Sequence, residues 1–251
     1  MSSELVLLTK TKYEADIISW VEHHLACGFD HILIFDNESC TDLSKLLSKY
    51  NKVQVVPVKG WPNQLGLYQK AREKCPYEWQ LFIDDDEFLD FDKSEWKDVN
   101  TFLNSIPSYI SQYGIFWQFM SSKTFEKERA DYSIPVNKYY NYTTDENYRS
   151  HYKTFVRNTF DGVYLTPHYC YPKSRMYRVM TEIGAMTDMQ APWFFGNPMN
   201  HKIKLRHYYL QSEKELMIKL TEKLPDHPEG LTRNKDTLDK AVDLKYNVEV
   251  K

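Results

Sequence analysis

The first 84 residues alternate between apolar runs and amphipathic segments, and this order is the strongest constraint on the fold. Four runs rich in β-branched and other apolar residues predict buried strands at 4–9, 31–37, 52–58 and 78–84. Three intervening segments carry apolar residues at helical spacing and predict helices at 14–28, 41–50 and 64–75. Strands joined by helices pair in parallel through right-handed crossovers. The order therefore predicts an α/β protein with a mostly parallel central sheet flanked by helices.

The pattern is looser in the rest of the chain. Apolar spacing predicts further strands and helices at 97–106, 113–120, 151–158, 162–170, 202–210 and 212–224. The last of these begins with a capping box formed by Ser212 and Glu215. Residues 121–150 are polar and rich in Tyr and Asn, which is typical of a long functional loop. We expect one domain over residues 1–224 and an extension over 225–251 that packs on the domain or is flexible.

Composition and charge argue against several classes of protein. The 251 residues include 32 Lys and Arg against 35 Asp and Glu, and a net charge of −3 argues against a nucleic-acid-binding protein. No run approaches the roughly 18 apolar residues of a membrane span, and no signal peptide is visible, so we expect a cytoplasmic protein. The 8 glycines include no Gly-rich phosphate fingerprint, which argues against a dinucleotide site. The 4 scattered cysteines form no C-x-x-C pair, which argues against a zinc knuckle.

Four consecutive acids, Asp84 to Glu87, follow the fourth predicted strand in the segment "QLFIDDDEFLDF". Open α/β sheets bind ligands at the carboxyl ends of their strands, where this cluster lies. If the strand continues through the cluster, Asp84 and Asp86 point to one face, about 7 Å apart, and Asp85 and Glu87 to the other. The cluster is therefore a candidate ligand site.

Carboxylates this close repel one another, and a divalent cation is an economical way to offset the repulsion. Oxygen ligands suit Mg²⁺ or Mn²⁺, ions that commonly bridge substrate phosphates. A solvated acidic turn is the simpler interpretation, but the apolar Phe88 and Leu89 that follow count against it. The residues alone leave a phosphatase, a nucleotidyltransferase and a glycosyltransferase open.

Two blocks of sequence resemble glycosyltransferases of the GT-A fold. They are "KYEADIISWVEHHLACGFDHILIFDNESCTD" (12–42) and "FIDDDEFLDF" (82–91), and they most resemble family 92 and its bacterial relatives near family 2. Shorter blocks resemble the same family: "FWQFMSS", "HYKTFVRN", "TPHY" and "RHYYLQSEKELMIK". The likeness covers about residues 4–220. Tyr13 and Ser19 depart from it, since the family has Asn and Glu there.

The resemblance implies a metal-dependent hexosyltransferase with a GT-A domain. The donor half would cover about residues 1–92 and the acceptor half about 93–224. The donor would be a UDP-hexose, with UDP-galactose first, and the sugar would pass with inversion to a hydroxyl of a carbohydrate or glycan precursor. Two alternatives stay open. A nucleotidyltransferase would need a Gly-rich basic signature, which "LLTKTKYEAD" lacks, and a non-catalytic binding protein would not need both Asp84 and Asp86.

The resemblance also implies roles for particular residues. Mn²⁺ or Mg²⁺ would be held by three residues, Asp84, Asp86 and His207, with His168 as a second candidate histidine. The donor would contact a set of residues spread over the chain, namely Thr9, Glu14, Asp36, Gln64, Asp84, Asp85 and Lys153.

Inversion needs a carboxylate that takes a proton from the acceptor hydroxyl. Five acids of the second half are candidates for this general base: Asp131, Asp145, Glu146, Asp161 and Glu182. We favour Asp145, because it lies in the long polar loop before "HYKTFV".

Overall fold

The computed structural model describes the ranges 1–121, 125–143, 149–173, 179–182, 184–186, 193–195, 201–209, 211–222, 224–225, 232 and 235–236. Its helices are α1 Glu14–Ala26, α2 Leu43–Leu46, α3 Gln64–Lys74, α4 Val99–Ser105, α5 Val136–Tyr139 and α6 Glu213–Thr221. None of the helices in these ranges is both long and apolar enough to cross a membrane. The predicted extension over 225–251 lies almost wholly outside the described residues.

The strands follow the order predicted for the first half and add several in the second. They are β1 Ser3–Thr9, β2 His31–Asp36, β3 Val53–Pro57, β4 Trp79–Ile83, β5 Glu87–Phe91, β6 Gln112–Ser121, β7 Tyr142–Thr143, β8 Arg149–Arg157, β9 Gly162–Thr166, β10 Tyr169–Pro172, β11 Val179–Thr181, β12 Gly184–Met186, β13 Trp193–Phe195 and β14 Ile203–His207. All but the β9–β10 hairpin belong to one sheet.

The sheet is mixed, not mostly parallel throughout. Its main path runs β12-β11-β6-β8-β4-β1-β2-β3, and the pairs that join β4, β1, β2 and β3 are parallel as predicted. β8 then runs antiparallel to both β4 and β6. Parallel neighbours need long crossover connections, and α4 and α5 span only 7 and 4 residues. The described second half therefore pairs largely in the antiparallel sense.

The core lies on both faces of the sheet, as the apolar runs predicted. Successive side chains of β1 point to opposite faces. Leu7 joins a hydrophobic cluster with Trp20 of α1, whereas Val6 joins a second cluster with Tyr68 of α3. Helices α1 and α3 thus pack on opposite faces of the sheet.

Strand β5 is among those that were not predicted, and it is the one that shapes the site. β5 follows the four acids directly and pairs antiparallel with β14, which also pairs in parallel with β6. The pairing places Glu87 opposite His207 and so brings the acids next to a histidine that lies more than a hundred residues further along the chain.

A buried histidine supports the packing of α1 and gives a test by pH. His24 is fully buried; its Nδ1 lies 2.8 Å from the Trp20 carbonyl oxygen, and the Leu89 N–H donates to its Nε2 at 3.2 Å. These contacts fit a neutral ring protonated at Nδ1. Burial holds the pKa of His24 well below its ordinary value, and the neighbouring His23 adds to the effect.

We expect His24→Gln to flatten the dependence of stability on pH. The unfolded chain takes up a proton at this histidine near pH 6.5 and the folded chain does not, so acid favours unfolding. Between about pH 7.5 and about pH 5.5 this site alone should cost the wild type roughly 1.4 kcal/mol, a loss that the variant should lack. Urea unfolding of both proteins at the two pH values measures it. Equal losses in the two proteins would contradict the assignment.

Candidate active site

The four acids form a β-turn, which we call the acid turn (Asp84–Glu87). β4 ends at Ile83, and the Glu87 N–H donates to the Asp84 carbonyl oxygen at 3.1 Å before β5 begins. The expectation that the strand continues, with Asp84 and Asp86 on one face, is therefore wrong. The strand ends because the chain turns after Ile83, where β4 pairs with β1, and continues as β5, which pairs with β14 instead.

The acid turn is fixed by its backbone. The indole Nε1 of Trp20 donates to the carbonyl oxygens of Asp84, at 3.1 Å, and Glu87, at 2.9 Å. The Tyr208 N–H donates to the Asp86 carbonyl oxygen at 2.8 Å. Contacts from α1 and from the end of β14 thus hold the turn in one shape, which orients all four carboxylates.

Lys153 lies beneath the acid turn and is fully buried. Its Nζ is 3.0 Å from Asp84 Oδ2 and 3.7 Å from Glu87 Oε2. Burial works to lower the pKa of Lys153, but Asp84 and Glu87 outweigh it and raise that pKa. Burial raises the pKa of Glu87 well above its ordinary value. The ammonium therefore stays charged and balances Asp84.

Asp86 faces two cationic or polar partners, one on each carboxylate oxygen. Its Oδ1 lies 3.3 Å from His207 Nε2 at the end of β14, and its Oδ2 lies 3.1 Å from the Lys219 Nζ of α6. Burial opposes ionisation, but Lys219 and His207 hold the pKa of Asp86 well below its usual range. Burial lowers the pKa of His207, which favours a neutral ring.

Asp85 joins the acid turn to the first strand. The Thr9 hydroxyl donates to Asp85 Oδ2 at 2.5 Å and lies 2.9 Å from the hydroxyl of Thr11. Withdrawal from water, followed by the charge of Asp86, raises the pKa of Asp85 to about 7. The carboxyl ends of β1 and β4 therefore meet at this site, as expected for parallel neighbours.

The other residues predicted to bind a donor lie around this edge. Asp36 is the register partner of Thr9, and its Oδ1 accepts from the Ser39 N–H at 3.0 Å. Glu14 is exposed at the start of α1, where its carboxylate accepts from the Thr41 hydroxyl at 2.8 Å. Gln64 is buried and donates to the Tyr68 hydroxyl at 2.8 Å. The structure thus places Asp36 beside Thr9 and gives Glu14 and Gln64 local partners.

The candidate general bases are not gathered at the acid turn in the described residues. Asp131 is exposed and accepts hydrogen bonds in a local turn, and Asp161 forms an exposed ion pair. The Glu182 carboxylate accepts from two backbone N–H groups ahead of β14, at 2.7 and 3.2 Å. Asp145 and Glu146 lie outside the described residues, so the choice of Asp145 stays a prediction.

A model of glycosyltransferase family 92 matches residues 9–224 of the chain. The chain belongs to glycosyltransferase family 92. The matched family is, by its name, one of glycosyltransferases. No match was found among curated proteins.

Solved structures similar to this family 92 chain show only distant likeness. S. aureus TarS 1–349 is 16% identical with a TM-score of 0.36, over 48% of this chain and 36% of that chain. A second S. aureus TarS structure is 17% identical with a TM-score of 0.32, over 47% and 21%. A putative glucose-1-phosphate thymidylyltransferase from Bacillus anthracis in complex with a sucrose is 12% identical with a TM-score of 0.37, over 62% and 72%. The chain thus spans about a third of the TarS 1–349 chain.

Lys219 closes the block "RHYYLQSEKELMIK" that resembles family 92, but the sequence analysis gave it no role in the candidate site. Its ammonium also donates to the Tyr209 carbonyl oxygen and lies 4.3 Å from the centroid of the Tyr209 ring. The sequence does indicate that Lys219 and Glu215 lie on the same face of the predicted helix, because they are four residues apart. The Glu215 N–H donates to the Ser212 hydroxyl at 3.3 Å, so the predicted N-cap orients that face.

An aromatic group packs behind His207. The Trp117 ring centroid lies 4.2 Å from that of His207, and the same indole stacks on His151 at 5.0 Å. His168 contacts Trp117 at 5.2 Å, and burial holds its pKa well below the ordinary value. Trp117 therefore orients His207 toward Asp86, and His168 belongs to the packing around the indole.

The donor set at Asp86 suits a divalent cation that is completed by substrate. In the described ranges no three His, Cys, Asp or Glu residues are arranged to hold a metal ion. Asp86 and His207 nevertheless supply one carboxylate and one neutral imidazole, 3.3 Å apart. Mn²⁺ accepts both ligand types, and such ions usually take further oxygens from phosphates and water. Asp86 and His207 could therefore be two protein ligands of a divalent cation, which would take its other ligands from water or from a bound molecule.

Proposed function

We propose that this glycosyltransferase moves a hexose from a UDP-hexose, UDP-galactose first, to a carbohydrate hydroxyl with the help of Mn²⁺ or Mg²⁺. The observation that carries the proposal is the pair Asp86–His207 at the carboxyl edge of the sheet, 3.3 Å apart. This edge is where open α/β sheets place phosphorylated ligands. Family membership favours glycosyl transfer over nucleotidyl transfer.

The bond that breaks leaves a nucleoside diphosphate, whose phosphates gain negative charge in the transition state. When bound, the cation would supply positive charge at those oxygens. Asp86 and His207 would hold it, and Asp84 would face the ribose or a metal-bound water. Lys153 supports this arrangement from below, since it is buried and neutralises Asp84 at 3.0 Å.

The remaining residues would bind and orient the donor. Thr9, Asp36 and Asp85 lie at the carboxyl ends of β1, β2 and β4, where a base and ribose would bind. Inversion is one displacement at the anomeric carbon, so the acceptor hydroxyl approaches opposite the diphosphate. A carboxylate takes its proton, and we keep Asp145 as the proposed base.

A donor panel tests the proposal. UDP- and GDP-sugars are incubated with the enzyme and Mn²⁺, and the released nucleoside diphosphate is measured with and without EDTA. We expect slow hydrolysis of one UDP-hexose, lost when EDTA is added, because the cation and the diphosphate bind together. Calorimetric titration of UDP, with and without Mn²⁺, reads binding independently of turnover.

The outcomes separate the parts of the proposal. Release from a GDP-sugar alone would overturn the choice of UDP. Release that survives EDTA would overturn the role of the cation. UDP binding with Mn²⁺ but without hydrolysis of any donor would fit either a need for the acceptor or a non-catalytic binding protein, and transfer to a panel of glycans would separate the two. No binding of either nucleotide in the presence of Mn²⁺ would overturn the nucleotide-sugar site itself.

A further inference from the structure

Lys219 forms an ion pair with one oxygen of Asp86, the carboxylate that would hold the cation. Its Nζ is 3.1 Å from Asp86 Oδ2, and the side chains of Lys219 and Asp86 are only 17% and 16% exposed. His207 lies at the other oxygen, Oδ1. Both oxygens of Asp86 are therefore engaged by the protein before a cation arrives.

We infer that Lys219 is a tethered cation that holds Asp86 in the nucleotide-free enzyme and moves to the donor's diphosphate when the metal binds. The inference rests on the proposed function, because it assumes a divalent cation at Asp86 and His207. A divalent cation at this carboxylate would lie within a few Å of the ammonium, and like charges at that distance repel strongly outside bulk water. Binding of the metal must therefore displace Lys219 from Oδ2.

The diphosphate is the anion that the displaced ammonium would meet. Lys219 extends from α6 on a flexible four-carbon chain, and α6 itself is held by its Ser212 cap and the buried Glu215. The helix can therefore stay in place while the ammonium swings. A lysine ammonium binds phosphate as a compact point charge. Lys153 is not available for this role, since it is fully buried between Asp84 and Glu87.

This exchange would couple metal binding to nucleotide binding. A metal ion alone must displace Lys219 from Asp86 and offers the ammonium no new anion. The metal ion alone should therefore bind weakly. Metal together with UDP gives the ammonium a phosphate, so the pair should bind much more tightly than either alone. Couplings between two ligands commonly amount to about 5- to 150-fold in affinity.

Lys219→Met tests the exchange because it should change two affinities in opposite directions. We expect Mn²⁺ alone to bind the variant roughly 5- to 10-fold more tightly, since the competing ammonium is gone. We expect UDP, in saturating Mn²⁺, to bind roughly 10-fold more weakly, since a phosphate contact is gone. Mn²⁺ binding is read by electron paramagnetic resonance of the free ion, and UDP binding by calorimetry.

Two further variants control the test. Lys214→Met removes an exposed lysine of the same helix that pairs with Glu128, and both affinities should equal those of the wild type. Lys219→Arg keeps the charge and should keep weak binding of Mn²⁺ alone.

The inference is overturned if Lys219→Met leaves Mn²⁺ affinity unchanged or weakens both affinities. It is also overturned if the Arg variant binds Mn²⁺ as tightly as the Met variant. Failure of the wild type to bind Mn²⁺ even with UDP would overturn the proposed function first, and the inference with it.

Discussion

Replacing Lys153 with methionine should lower the free energy of unfolding by about 3–5 kcal/mol. Lys153 is fully buried and lies 3.0 Å from Asp84 and 3.7 Å from Glu87. Methionine has a similar length but no charge, so the Asp84 and Glu87 side chains of the acid turn lose the cation that lies beneath them. The loss is costly because Glu87 stays out of water without its partner, although Asp84, which is 37% exposed, recovers some solvation. Denaturant unfolding, followed by circular dichroism, measures the change.

Two variants place that loss in context. Lys173→Met removes an exposed lysine that pairs with Asp161 at 3.0 Å, and its effect should stay under about 1 kcal/mol. Lys153→Met combined with Asp84→Asn should be more stable than Lys153→Met alone, because the second change removes the carboxylate that Lys153 balances. A single Lys153→Met variant within about 1 kcal/mol of the wild type would contradict the buried pair.

Replacing Asp86 with asparagine should reduce sugar transfer by roughly 10³-fold while the protein stays folded. Asparagine keeps the size and one acceptor oxygen, but it loses the charge that would hold a cation beside the diphosphate. The carboxylate also holds Lys219 and His207, at 3.1 and 3.3 Å, so both would lose their anion. Initial rates with the best donor, at saturating Mn²⁺, measure the effect.

Asp90→Asn is the matched control. Asp90 is on the same strand, β5, but its carboxylate pairs with the partly exposed Arg206. Its removal should leave the transfer rate within about 2-fold, since surface pairs contribute little. An Asp86→Asn enzyme that kept more than a tenth of wild-type activity would exclude Asp86 as the ligand that makes the cation effective.

The first half of the sheet was predictable because its signals are local. β1 to β4, α1 and α3 each have an apolar period that is visible within about ten residues. α2 is shorter than predicted, Leu43–Leu46 instead of 41–50; its N-cap Asp42 accepts from the Lys45 N–H at 3.0 Å. β5 was missed because its partner β14 lies more than a hundred residues further along the chain. Pairing at that distance leaves no pattern in a local window.

The residue pattern alone predicted only the contiguous part of the candidate site, and the resemblance to family 92 added Thr9, Lys153 and His207. Asp84, Asp85 and Asp86 are visible as one run of acids, whereas their partners come from four other elements. The sequence suggested a metal to offset the repulsion, and the described residues show that Lys153 and Lys219 already offset much of it. The pairing of Lys153 and Lys219 with these carboxylates cannot be recognised from the sequence, because it depends on how β8 and α6 pack against the acid turn. Composition alone does not reveal which charges are paired.

The position of β14 between β5 and β6 has a consequence for how the protein is made. Residues 203–221 leave the ribosome long after β5 and β6. Until then, the edges of β5 and β6 that pair with β14 have no partner strand. Folding with such distant contacts is slow, and open edges invite aggregation. The acid turn gains His207 and Lys219 only in this last step. A nascent chain that stops short of α6 would therefore carry exposed strand edges and an incomplete site, and we expect such chains to need chaperones to stay in solution.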